Sequence, residues 1–206
     1  MLLAPFNLST FAENFSTQCP DIQTCVKAVS ELTGDKYIFD AESIKGKGNA
    51  TANLELNREN AVNLFSNLLH MNGYSRVPTG EPDTFRIMRE NDAKGTAVPS
   101  FTSTLTQPPK LPNNWDIVRL EYKMTHPEGV RHLENVMRTY APMGARIYGD
   151  ELNGTILISA SALELKGLYP MLQSNDQKVS AEVLKRWKDN AEAPRPKKPH
   201  EDPKNK

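Results

Sequence analysis

Between Asn91 and Asn114 the chain carries no hydrophobic periodicity. Glycine, serine, threonine and four prolines (Pro99, Pro108, Pro109, Pro112) take over. Proline lacks the N–H that helices and sheet ladders need, so the stretch reads as a partly extended linker. It divides the 206 residues into two portions, each long enough to bury one small core. The fold class this implies is α+β: a first domain over 1–92, a linker over 93–114, a second domain over 115–178, and a terminal segment over 179–206.

The first portion opens with a short strand, Asn7 to Phe11. Asp21 is an N-cap, and Ile22, Cys25, Val26, Val29 and Leu32 follow at helical spacing until Gly34, where a left-handed residue ends the helix. Lys36 to Asp40 reads as a strand, Ile44 to Gly48 as a turn, and Asn49 to Leu56 as a half-buried strand. A second helix starts at Asn57 with Ala61, Leu64, Phe65, Leu68 and Met71 on its apolar stripe, and Asn72-Gly73 stops it. Tyr74–Val77 and Thr84–Met88 complete the unit as strands.

The second portion begins with the strand Trp115–Tyr122, with Ile117 and Leu120 as core residues. Thr125-His-Pro-Glu128 and Ser161-Ala-Leu-Glu164 both have the capping-box pattern. Between the two helices lie strands at Ala145–Tyr148 and Thr155–Ile158. Pro170 is expected to end or kink the last helix. This strand, helix, strand, strand, helix order is K-homology-like. RNA-binding domains of that kind clamp the backbone with a Gly-x-x-Gly loop, which Tyr140–Ala145 lacks. Ser180–Asn190 reads as a short helix. The tail from Ala193 to Lys206, with five basic and two acidic residues and no large apolar side chain to bury, reads as disordered.

Several function classes find no support. Twenty-five acidic residues balance 25 basic ones, which gives no reason to expect nucleic acid. No apolar run approaches the ~20 residues of a membrane-spanning helix. Met1–Phe6 is too short for a signal peptide, so the chain is either cytoplasmic or a mature form. His70, His126, His132 and His200 are scattered, which implies no metal. No nucleophile elbow, phosphate loop or zinc-protease motif occurs, so the expectation is no cofactor and no enzyme. Cys19 and Cys25 are open to two readings. Either Cys25 is a small core residue and Cys19 incidental, or the pair forms a disulfide that pins the entry loop to the helix, which requires an oxidising compartment.

The runs Asp21-Ile to Gly34, Tyr37-Ile-Phe-Asp40, Ile44-Lys-Gly-Lys47, Glu59-Asn-Ala-Val62 and Leu64-Phe-Ser-Asn-Leu-Leu69 resemble the first N-terminal domain of type II secretion secretins, itself related to the signalling domain of TonB-dependent receptors. Phe85–Met88, Asp92-Ala-Lys94 and Ala97-Val-Pro99 continue the resemblance, and residues 118–172 resemble the next secretin N-domain. The family goes on into further N-domains and an outer-membrane barrel, whereas this chain ends in a charged tail.

The resemblance implies a periplasmic docking module of a secretion machine, associated with an outer-membrane secretin complex. Its partner would be an inner-membrane or periplasmic protein, and it would stack in a homo-oligomeric ring. The edge that would receive the partner is Asn7, Leu8, Ser9, Thr10 and Phe11, whose backbone another strand can extend. The other reading of that edge is that its polar residues blunt it. A signalling or adaptor pair, and then an uncharacterised α+β enzyme, are the competing functions.

Overall fold

A computed structural model describes residues 19–48 and 57–192. The expected strands at Asn7–Phe11 and Asn49–Leu56, and the tail beyond Glu192, lie outside the described residues.

Helix α1, Ile22–Thr33, starts where the Asp21 carboxylate accepts from Thr24 N at 2.8 Å and ends at Gly34, whose φ is +78°. Its buried face is Ile22, Cys25, Val26 and Val29. Strand β1, Lys36–Ile38, follows. Helix α2, Arg58–Met71, is capped by the Asn57 side chain and buries Ala61, Phe65, Leu68 and Leu69. Met71, expected on the buried stripe, is 77% exposed, while Leu68 and Leu69 of the same turn face the core. Strands β2, Tyr74–Pro78, and β3, Thr84–Arg89, complete a sheet of order β1-β3-β2, with β1 parallel and β2 antiparallel to β3. The two helices pack on it around Phe65, Leu69 and Val29.

The short helix α3, Glu90–Ala93, leaves β3. The segment expected to be a partly extended linker then contains strand β4, Ser100–Thr104, paired in parallel with β5, Ile117–Lys123. Pro99 and Pro108 flank a run of Ser, Phe and Thr that suits a pleated strand, so the prolines bound the strand instead of preventing it.

Helix α4, Val130–Tyr140, is entered through a 3-10 turn at Pro127–Gly129, and no Thr125–Glu128 capping box forms. Asp176, brought in from 50 residues away, accepts from Thr125 N at 2.9 Å, His126 N at 3.1 Å and the Tyr122 hydroxyl at 3.0 Å. Strands β6, Arg146–Asp150, and β7, Thr155–Ser161, complete the order β4-β5-β7-β6.

Helix α5, Ala162–Asn175, starts with the Ser161–Glu164 capping box and runs through Pro170 instead of stopping there. Pro170 is solvent-exposed, so water can satisfy the carbonyl it frees. On either side of it Tyr169 OH donates to Thr104 O at 2.8 Å and Gln173 Nε2 to Leu105 O at 2.7 Å, which ties the helix to β4. Helix α6, Ala181–Glu192, follows. The second core lies between this sheet and α4 and α5, around Tyr122, Leu133, Ile158 and Leu165.

Candidate docking edges and the joint between the units

The proposed partner edge Asn7, Leu8, Ser9, Thr10 and Phe11 lies outside the described residues. Cys19 and Cys25 are described: both are fully buried and carry free thiols in mutual contact. The Cys25 thiol donates to Cys19. That bond, with burial, pushes Cys25 up, and the same bond holds Cys19 below the ordinary thiol range against the raising effect of burial. The turn read from Ile44–Gly48 lies against them. Lys47 bridges Asp21, Gly48 N donates to Pro20 O at 3.1 Å, and a Cβ on Gly48 would sit 2.8 Å from Cys25 Sγ. Gly48 is required there for close approach.

Three sheet edges are described outside the joint, and they differ. Edge β6 is partly covered by α4, whose Arg138 Nη2 donates to Ile147 O at 2.9 Å. Edge β1 is short. Lys36 N donates to Asp83 O at 2.7 Å, so the backbone of Tyr37 turns outward, beside Ile38 at 51% exposure. Edge β4 is longer, and among the described residues no strand pairs with its outer side. Arg119 N donates to Pro99 O at 2.8 Å, which turns residues 99, 101 and 103 toward β5 and the backbone groups of Ser100 and Thr102 away from it.

The remaining edge, β2, is buried in a joint that sequence reasoning missed. Arg76, on β2, is 6% exposed at its side chain. Its Nε donates to both oxygens of Asp116 at 2.9 and 3.0 Å, across from the second unit. Its Nη1 reaches Asp35 Oδ2 and the Tyr37 hydroxyl at 3.4 Å each, and the guanidinium lies 4.4 Å from the centre of the Phe85 ring. Asn114 Nδ2 steadies Asp116 at 2.9 Å.

Burial pushes the Asp116 carboxyl above its ordinary value, and the Arg76 charge and hydrogen bonds pull it back only in part. Burial likewise raises the Tyr37 hydroxyl to about 12, against the lowering effect of Arg76. Around this pair Ile117 N donates to Ser75 Oγ at 3.0 Å and Trp115 N to Ser66 Oγ at 3.1 Å. The indole stacks on His70 at 4.4 Å, and His70 hydrogen-bonds Glu90. Val77, Ala93, Val98 and Ile117 form a small apolar cluster beneath. Ile117 therefore belongs to the joint, while Val118, Leu120 and Tyr122 belong to the second core.

Among the described residues no group of three His, Cys, Asp or Glu is placed to hold a metal, and no helix is long and apolar enough to cross a membrane.

Residues 14–87 match the family model described as GspD-like, N0 domain. A chain of the Klebsiella pneumoniae type II secretion outer membrane complex, which contains PulD, PulS and the PulC HR domain, shares the fold with a TM-score of 0.60. Identity is 19%, and the match covers 88% of this chain and 32% of that one. The N0 domain of the type II secretin from enterotoxigenic Escherichia coli is 25% identical over 34% of this chain and 85% of its own, with a TM-score of 0.31. A dimeric mutant of the N-terminal domain of the secretin XcpQ from Pseudomonas aeruginosa is 17% identical over 79% of this chain and 64% of its own, with a TM-score of 0.32. This chain thus spans about a third of the Klebsiella chain and under two thirds of the XcpQ one. No curated protein matches it. Over residues 14–87 the family that the sequence resembles is the one whose model matches.

Proposed function

We propose, from the premise that residues 14–87 form a GspD-like N0 domain, that this chain is a periplasmic docking module of a type II secretion machine and not an enzyme. The observation that carries the reading is the match of the first unit to that domain. The fold shared with the Klebsiella outer membrane complex over 88% of the chain supports it.

The partner is an inner-membrane or periplasmic component of the machine, of the class that PulC represents in the Klebsiella complex. It docks on the first unit by adding a strand to the edge at Asn7, Leu8, Ser9, Thr10 and Phe11, so that backbone bonds give affinity and the flanking side chains give selectivity. Copies of the module stack as a ring. In the oxidising periplasm the contacting Cys19 and Cys25 close a disulfide over the turn that enters α1.

The test is calorimetric titration of the full chain with a purified HR domain of the PulC type. Ser9→Pro and Thr10→Pro, checked for retained circular dichroism, are expected to weaken binding at least tenfold. Unchanged binding by both would exclude that edge. No binding by the unaltered chain would remove the docking reading itself.

A further inference from the structure

We propose that β4 is a second docking edge, separate from the first unit, which takes an extended strand of a partner protein carrying alternate apolar residues and an acidic end. The open edge consists of the outward N–H and C=O groups of Ser100 and Thr102, which no described residue bonds. The same strand is satisfied immediately beyond them: Thr104 N donates to Gln107 O at 3.1 Å, and Thr104 O accepts from Tyr169. Only extended backbone presents donors and acceptors at the spacing these two residues leave open.

Two features favour a receptive edge. On the opposite edge of the same sheet Arg138 donates to Ile147 O, whereas Ser100 and Thr102 of β4 have no such side-chain cover among the described residues. The sequence from Thr96 to Pro109 also carries no charge, in a chain that is 24% charged. Edge strands are ordinarily guarded by charge, cover or proline within the strand, and among the described residues β4 has none of these at Ser100 and Thr102.

The occupant's chemistry follows from the groove beside the edge, about 670 Å³, where Phe101, Pro108 and Pro109 provide apolar wall. Lys110 is the one charged residue lining it and makes no ion pair among the described residues. A neutral strand whose alternate apolar side chains enter the groove, with a carboxylate reaching Lys110, satisfies backbone, wall and charge together.

The experiment uses the full chain and a fluorescein-labelled octapeptide of alternating threonine and valine ending in two aspartates. Saturable anisotropy, with the largest amide shifts at Ser100 and Thr102, is expected. Thr102→Pro, which removes an outward N–H and no ladder bond, should weaken binding at least tenfold, and Lys110→Glu should weaken it severalfold. Should Thr102→Pro not fold, the same peptide with alternate amides N-methylated must lose binding to the unaltered protein.

Shifts that map elsewhere, or equal binding by the variants and the methylated peptide, overturn the site. A concentration-dependent dimer perturbing Ser100 and Thr102 without peptide overturns the occupant, since a second copy then fills the edge. Tighter binding after removal of residues 1–18 also overturns it, since this chain's own N-terminal segment then lies there. Loss of HR-domain binding by Ser9→Pro leaves this site unaffected, so the two docking readings fail separately.

Discussion

Replacing Asp116 with alanine removes both strong partners of the Arg76 Nε while leaving its guanidinium buried. The remaining Nη1 contacts to Asp35 and Tyr37 are long, at 3.4 Å, and Asp35 already accepts from Arg58 at 2.7 Å, so little compensation is at hand. Breaking a buried ion pair from one side costs about 3–5 kcal/mol, because the surviving charge is left without solvent or partner. For a chain of this size that is a melting-temperature drop on the order of 10 °C. The perturbed residue bridges two cores, so the loss should also uncouple them. Calorimetry should show one transition broadening into two, and the emission of Trp115, stacked on His70, should shift red before the second core melts. The double variant Arg76→Met with Asp116→Leu, which removes both charges and restores apolar volume, should recover most of the stability. A loss below about 1 kcal/mol for Asp116→Ala, with Trp115 emission unmoved, would refute the view that this pair holds the units together.

Three further outcomes follow from single sites. Gly48→Ala should destabilise by about 1–3 kcal/mol in urea titration, because the added methyl has no room against Cys19 and Cys25 Sγ. Ser103→Ala should be neutral or stabilise by up to about 1 kcal/mol, since the Ser103 hydroxyl is buried with no hydrogen-bond partner among the described residues. The Tyr37 hydroxyl titrates near 12 in the fold and near 10 unfolded, so the unfolded chain loses that proton first as pH rises. Its contribution, full below pH 10, is therefore lost between about 10 and 12, and Tyr37→Phe should flatten the stability–pH curve in that window. A Tyr37→Phe curve as steep as the unaltered protein's would contradict this.

The elements legible in the sequence were those whose signals are local. Asp21 and Gly34 bracket α1 because a cap and a left-handed stop act within one turn, and the Ser161–Glu164 box forms for the same reason. Its counterpart at Thr125 failed because Asp176 outcompeted it, and nothing near Thr125 announces a carboxylate 51 residues on. The strand β4 was hidden by its flanking prolines, though the Ser-Phe-Thr-Ser-Thr run between them carried the signal. Pro170 misled because exposure on the solvent side removes most of what makes proline disruptive. The joint left the weakest trace. Arg76 reads as an ordinary surface arginine on a strand, and its burial depends on Asp116, 40 residues away, on the far side of an apparent linker. Of the candidate site, the contact of Cys19 with Cys25 was accessible from their spacing, but the open backbone of β4 required the register of a parallel ladder.

Hydrogen exchange of the full chain with and without a PulC-type HR domain decides whether the first unit is the docking face for a component of the secretion machine. Protection is expected to concentrate in residues 7–11 and the adjoining surface of the first unit, with the joint amides of Trp115 and Ile117 slow in both states. Protection confined to residues 115–178, or none at saturating HR domain, would contradict it.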